Sequence, residues 1–170
     1  DSTERPKTPN RPARVFATTQ WSVVLAAGGG DAAAAREALS RLCQTYWYPL
    51  YAYVRRRGHA PQDAEDLTQE FFAQLLEHDW VARADRGKGR FRSFLLTVFS
   101  RFRANEWDKA SSRKRGGHLR RIPLSIEDAE HRFSREPADA STPEQEFEKQ
   151  WALTVLERVL VRLREEYAQR

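Results

Sequence analysis

Residues 61–77 read PQDAEDLTQEFFAQLLE. Pro61 suits the first position of a helix, where its missing N–H has no intrahelical partner to lose. Asp63, Glu65 and Asp66 fall in the first turns, where the helix macrodipole favours acids. Leu67, Phe71 and Leu75, with Phe72 and Leu76 beside them, recur at three or four and predict a wide apolar stripe. This stretch is an amphipathic helix, and the segments on either side follow the same period.

Upstream, Asp31 caps a helix running from Ala32 towards Arg57, with Leu39, Leu42, Tyr46, Leu50 and Tyr53 on one face. Pro49 predicts a kink in it and Gly58 its end. Before it, Thr18 or Thr19 caps a short helix through Trp21, Val24 and Leu25, which stops at Gly28-Gly29-Gly30. Downstream, a loop near Asp85–Gly89 precedes a helix from Phe91 to Ser112, with Phe91, Phe94, Leu95, Val98 and Phe102 as its buried side. Residues 113–142 carry Gly116, Gly117, Pro123 and Pro137 among polar residues, which predicts a linker holding at most one short helix. Thr142-Pro143-Glu144-Gln145 is a strong helix start, with Thr142 as cap and Gln145 placed to reach back. The final helix repeats Phe147, Trp151, Val155, Val159, Leu163 and Tyr167 at every fourth position. No stretch alternates with period two for long, so the expected class is all-α. About four helices form a compact bundle over 15–115, then a linker over 116–142 and a C-terminal helix over 143–170. Residues 1–14, with three prolines and one apolar residue, read as a disordered basic tail.

The composition sets outer limits. The chain has 170 residues, 40% of them apolar and 11% aromatic, which excludes a wholly disordered polymer. No apolar run approaches the ~20 residues a membrane helix needs, and no signal-peptide pattern opens the chain. Cys43 is the one cysteine, so an internal disulfide is excluded, and a reducing cytoplasm is the expected compartment. The sequence begins with Asp1 and holds no methionine, so it reads as a fragment or processed chain.

Charge is distributed in blocks. Residues 62–82 hold six acids (Asp63, Glu65, Asp66, Glu70, Glu77, Asp79) and no Lys or Arg. Residues 83–121 hold thirteen basic residues against three acids, and 122–150 reverse the sign with eight acids against three basic residues. The basic block suggests a polyanion partner and the acidic block beside it a second one; two solvated helix faces are the plainer reading. Within the basic block Arg101, Asn105, Lys109 and Arg113 recur at four and line one helix face. Arg90 and Arg92 flank its start and Arg113-Lys114-Arg115 its end. Such a face can neutralise phosphates, pair Asn105 with a base edge and stack a base on Trp107. Packing is an equal reading for Trp107.

Signals of catalysis are poor. His59, His78, His118 and His131 are scattered, and none stands at a metal-ligand spacing from Cys43. Gly87-Lys88-Gly89 lacks the rest of a phosphate-loop pattern. Asp63, Glu65 and Asp66 are explained by a helix N-terminus. No enzyme, metal site or cofactor is expected. Tyr46, Trp47, Tyr48, Tyr51 and Tyr53 point to several sides of one helix, so most should pack internally with hydroxyls at the rim. Trp80 reads as core and Cys43 as a small buried hydrophobe.

The stretch PLYAYVRRRGHAPQDAEDLTQEFFAQLLE (49–77), followed by FRSFLLTVFSRFRANEWDKASSRKR (91–115), resembles region two of the extracytoplasmic-function group of the bacterial sigma-70 family. Asp63-Ala64-Glu65-Asp66, Gln69 and Phe72 match its D-A-E-D-x-x-Q-x-x-F segment. Phe94-Leu95 takes the place of W-L in the following helix. The chain departs from the pattern at Phe94, where the family often has Trp, and at Asn105, where it often has Asp. The final helix resembles the opening helix of region four, and the chain stops before any helix-turn-helix. The resemblance implies a bacterial sigma factor that binds core RNA polymerase and recognises and melts the minus-ten promoter element. Asp63, Glu65, Asp66, Gln69 and Phe72 would dock on the β′ clamp helices. Arg101, Lys109, Arg113, Lys114 and Arg115 would take promoter phosphates, with Asn105 and the loop over 80–92 reading bases and Arg90, Arg92 and Trp107 in the same DNA-binding set. The linker would thread through the polymerase near the RNA path. An anti-sigma protein or a kinase is a further candidate partner; Thr8, Ser141 and Thr142 lie by prolines, and capping already accounts for Thr142. Two other readings stand beside this one: a helical polymerase-binding regulator or adaptor without productive promoter opening, and a general basic nucleic-acid binder.

Overall fold

The computed structural model describes residues 21–27, 32–78, 80–110, 125–136 and 140–169. Among them there is no strand, and six α-helices occur in the order α1 (Trp21–Ala27), α2 (Ala32–Arg56), α3 (Pro61–Glu77), α4 (Phe91–Ala110), α5 (Ile126–Ser134) and α6 (Pro143–Ala168). Two 3₁₀ turns, Trp80–Arg83 and Arg86–Lys88, bridge α3 and α4. The all-α expectation holds. The glycine stop at 28–30 lies outside the described residues.

The core is organised by α2, which continues through Pro49 as one helix. Leu50, Tyr51, Ala52, Tyr53 and Val54 are all fully buried. Burial of five consecutive residues means that neighbours cover the helix on every side. α1, α3 and α6 pack along it. α4 reaches it through rings: Tyr46 meets Phe91 edge-on at 5.6 Å, and Tyr53 meets Phe99 at 5.9 Å. Phe71 of α3 closes the centre, 4.8 Å from Phe99 and 5.6 Å from both Phe72 and Phe102. Edge-to-face ring pairs add to the burial of their own area. Tyr46, Trp47, Tyr48, Tyr51 and Tyr53 are all buried, which leaves no stacking platform for nucleic acid. Cys43 is buried as well, and burial pushes its thiol up to about 12.

The tyrosine hydroxyls do sit at the rim, and there they meet acids. Tyr51 donates to Glu130 at 2.5 Å and Tyr48 to Glu136 at 3.0 Å. Arg55 forks onto both oxygens of Glu130, at 3.0 and 2.8 Å. Arg56 stands 3.4 Å from the fully buried Glu146, and Arg57 2.6 Å from Glu144. The basic end of α2 is therefore met by the acidic block of α5 and α6. The stretch expected as a linker holds one short helix, as anticipated, and that helix lies on the body of the domain.

The last helix starts on a full capping box: Gln145 N–H donates to Thr142 Oγ1 at 3.2 Å and Thr142 N–H to Gln145 Oε1 at 2.9 Å. Its buried residues are Glu146, Phe147, Gln150 and Thr154. The expected fourth-position stripe does not stay buried: Val159 is 49% and Tyr167 72% exposed. Four residues turn a helix by about 400°, so a strict fourth spacing drifts by ~40° per step and winds away from α2.

Candidate functional site

On α3 the residues facing inward are Ala64, Thr68, Phe71, Phe72 and Leu75. Thr68 satisfies its hydroxyl on the Ala64 carbonyl at 2.7 Å. The outward residues are then fixed by the helical period: Asp63, Asp66, Glu70 and Glu77, at spacings of three, four and seven, form one acidic stripe. Asp63, Asp66 and Glu77 are exposed and Glu70 half-buried, accepting from Gln74 at 3.0 Å. Glu65 stands off this stripe, half-buried, within 3.3 Å of the Gln62 amide. Phe72 is fully buried and Gln69 nearly so. Of the five expected docking residues, Asp63 and Asp66 present carboxylates together, Glu65 lies to one side, and Phe72 has no surface to offer a partner. Phe72 is corrected to a core residue because it takes the position opposite the acids. Glu70 and Glu77 were missed by the sequence reading; their spacing from Asp63 was the available signal.

Arg101 and Asn105 of α4 are both exposed, one turn apart. Arg90, the half-buried Phe94 and Thr97 share their side of the helix at ~100° per residue. Arg92 does not. It lies nine residues from Arg101, about half a revolution round the helix. Its Nε donates to Glu148 of α6 at 2.5 Å and its guanidinium lies 4.2 Å over the Trp151 ring. Only 5% of its side chain is exposed, so the expected phosphate contact is corrected to a strut between α4 and α6. Trp107 and Lys109 belong to α4, but their side chains lie outside the described residues, as do Arg113, Lys114 and Arg115.

Before α4 the chain makes its two 3₁₀ turns. Asp85 caps the second by accepting from Gly87 N–H at 2.8 Å, and Gly89 at φ 121° takes a conformation that side-chain-bearing residues rarely adopt. These turns expose Arg83, Lys88 and Arg90 beside the start of α4. Trp80 is half-buried, 6.2 Å from Phe71, which agrees with a core-edge role.

Between the acidic and basic helices lies an open pocket of about 520 Å³, lined by Arg57, Gly58, His59, Ala60, Asp63 and Arg103. Gly58, at φ 88°, makes the turn that brings α3 back beside α2. Burial and the nearby Arg103 hold His59 below its usual range. Among the described residues no cluster of His, Cys, Asp or Glu could hold a metal ion. No described helix is long and apolar enough to cross a membrane. The geometry offers two separate, oppositely charged surfaces on one rigid core, which suits binding to two different macromolecular partners.

No curated protein and no solved structure matches the chain. Residues 42–113, from the middle of α2 through α3 and α4, match the model of the family described as Sigma-70 region 2. That family comprises transcription initiation factors rather than enzymes. The match supports a sigma-70 family member, with the RNA polymerase binding and promoter recognition that region 2 implies.

Proposed function

We propose that this protein is a sigma factor of the extracytoplasmic-function type, which docks on core RNA polymerase through α3 and opens the minus-ten promoter element with α4. The observation that carries this reading is the pair of exposed stripes, acidic on α3 and basic on α4, inside the matched segment. In this reading Asp63, Asp66 and Glu70 meet basic residues of the β′ clamp helices, which steers association and fixes its register. Arg101 takes a backbone phosphate and Asn105 pairs with a base edge. Lys109 and Arg113–Arg115 extend the phosphate track. The turns over 80–90 receive an unstacked base of the non-template strand. Extruding a base costs a few kcal/mol, which its pocket and the phosphate contacts offset. Opening is thus a shift of the duplex–open equilibrium rather than a chemical step. The identification of α6 with the first helix of region four rests on its capped start after a variable linker, and a cytoplasmic location follows from the partners.

The test is open-complex formation on promoter DNA by core polymerase supplied with this chain, read by permanganate reactivity of unpaired thymines. Arg101→Ala combined with Asn105→Ala should abolish the signal while leaving polymerase binding intact. Unchanged promoter opening in that variant would remove α4 from the mechanism. Polymerase binding without opening in the wild type would favour an adaptor.

A further inference from the structure

The outer half of α6 carries a second pattern, independent of the function proposed above. Leu153, Leu156, Leu160, Leu163 and Tyr167 are spaced three, four, three and four apart. Their exposures are 40%, 53%, 45%, 43% and 72%. At ~100° per residue they fall within about 80° of arc. The side facing α2 carries Phe147, Gln150 and Thr154, and further along the helix Arg158, whose guanidinium donates to Thr45 Oγ1 at 2.7 Å. The centre of the leucine seam lies on the opposite side of the helix. Alternating spacings of three and four are the register in which one helix packs against another. An exposed apolar stripe of this kind marks an interaction surface rather than a solvated face.

We infer that the outer half of α6 is a self-association seam, pairing antiparallel with α6 of a second copy of this chain. Charge complementarity selects this occupant and this direction. Glu157 and Arg164 both flank the seam on the same side. With two copies antiparallel and Leu160 opposite the second copy's Leu163, Leu156 falls opposite Tyr167 and Glu157 comes beside Arg164. The two-fold axis repeats every one of these pairs. The parallel register sets Glu157 beside Ala152 and Arg164 beside Val159, with no such match. Sliding the antiparallel pair by one heptad brings Glu157 against Glu157, a like-charge contact. α2 lies behind each α6, so the two domain bodies face outward and leave the seam clear. The seam spans about 21 Å at ~1.5 Å per residue. That is short for an isolated coiled coil, but packing on α2 already holds α6 helical, so pairing bears no nucleation cost.

Sedimentation equilibrium of the full chain over a concentration series tests this. The wild type should show a monomer–dimer equilibrium, and Leu160→Glu should abolish the dimer with an unchanged helical circular dichroism spectrum. Glu157→Arg and Arg164→Glu should each weaken the dimer by roughly tenfold, because two attractive contacts become repulsive. The double variant carrying both reversals should recover the wild-type constant. A wild type that stays monomeric throughout overturns the inference and leaves the seam to another protein. A dimer indifferent to Leu160→Glu, or to both single reversals, overturns it equally.

Discussion

Two acidic stretches of this protein have nearly the same composition and opposite fates. The acids of residues 127–148 turn inward: Glu130 is forked by Arg55, Glu146 is fully buried beside Arg56, Glu144 holds Arg57 and Glu148 holds Arg92. The acids of α3 turn outward, with Asp63, Asp66 and Glu77 exposed along one stripe. The first set fastens α5 and α6 to the core. The second leaves negative charge available to a partner. A run of acids in a sequence therefore says that cations are needed, and only the fold says whether the chain supplies them.

The largest expected effect separates the two sets by stability. Glu146→Ala leaves the Arg56 guanidinium without its buried counter-ion and should cost about 3–5 kcal/mol, read by urea unfolding. Asp66→Ala should stay within about 0.5 kcal/mol. If the two substitutions cost the same, the inward and outward distinction fails.

The inward set should also respond to pH. Glu136 is pushed up to about 7 by burial and by the facing Glu146 carboxyl, while Glu146 is held low through its bonds to Glu136 and Gln150 and the nearby Lys149 and Arg56. Tyr48 from α2 and Lys149 and Gln150 from α6 also face Glu136. A carboxyl whose folded value is raised contributes stability that is fully present below its unfolded value, and that contribution is lost as pH rises through about 7. Glu146, shifted the other way, contributes stability that is lost as pH falls. The unfolding midpoint should therefore be highest between about pH 5 and 6.5 and decline towards pH 8. Glu136→Gln should flatten the decline. An unchanged slope in that variant would show that the carboxyl pair is not its source.

A smaller effect belongs to the start of α6. Thr142→Ala removes the side-chain half of the capping box and should cost about 1 kcal/mol, measured the same way. Smallest of all, Arg101→Ala should leave stability within about 0.5 kcal/mol, since the side chain is exposed. A larger loss would mean that Arg101 is structural, like Arg92.

Much of the fold was legible because its signals are local. Pro61 at a helix start, the Thr142–Gln145 box and the stripe Phe71, Phe72, Leu75 each act within one or two turns, and each appears where the sequence places it. The docking of α5 was not legible, because Arg55 and Glu130 are 75 residues apart and nothing local pairs them. Arg92 misled for a related reason: a basic residue near a basic block looks available until Glu148 and Trp151 are brought over it. On α3 the matched segment drew notice to Phe72, whereas helical spacing alone points to Asp63, Asp66 and Glu70. The exposed end of α6 shows the limit of counting by four, since the drift of that spacing carries Val159 and Tyr167 off the buried side.

The central claim is that the outward acids of α3 are the polymerase-docking surface. A titration of core RNA polymerase with the fluorescently labelled chain tests it directly, with Asp66→Arg as the paired variant and its urea midpoint measured alongside. The account predicts saturable binding by the wild type and its loss in Asp66→Arg at unchanged stability. Equal binding by both proteins would contradict it.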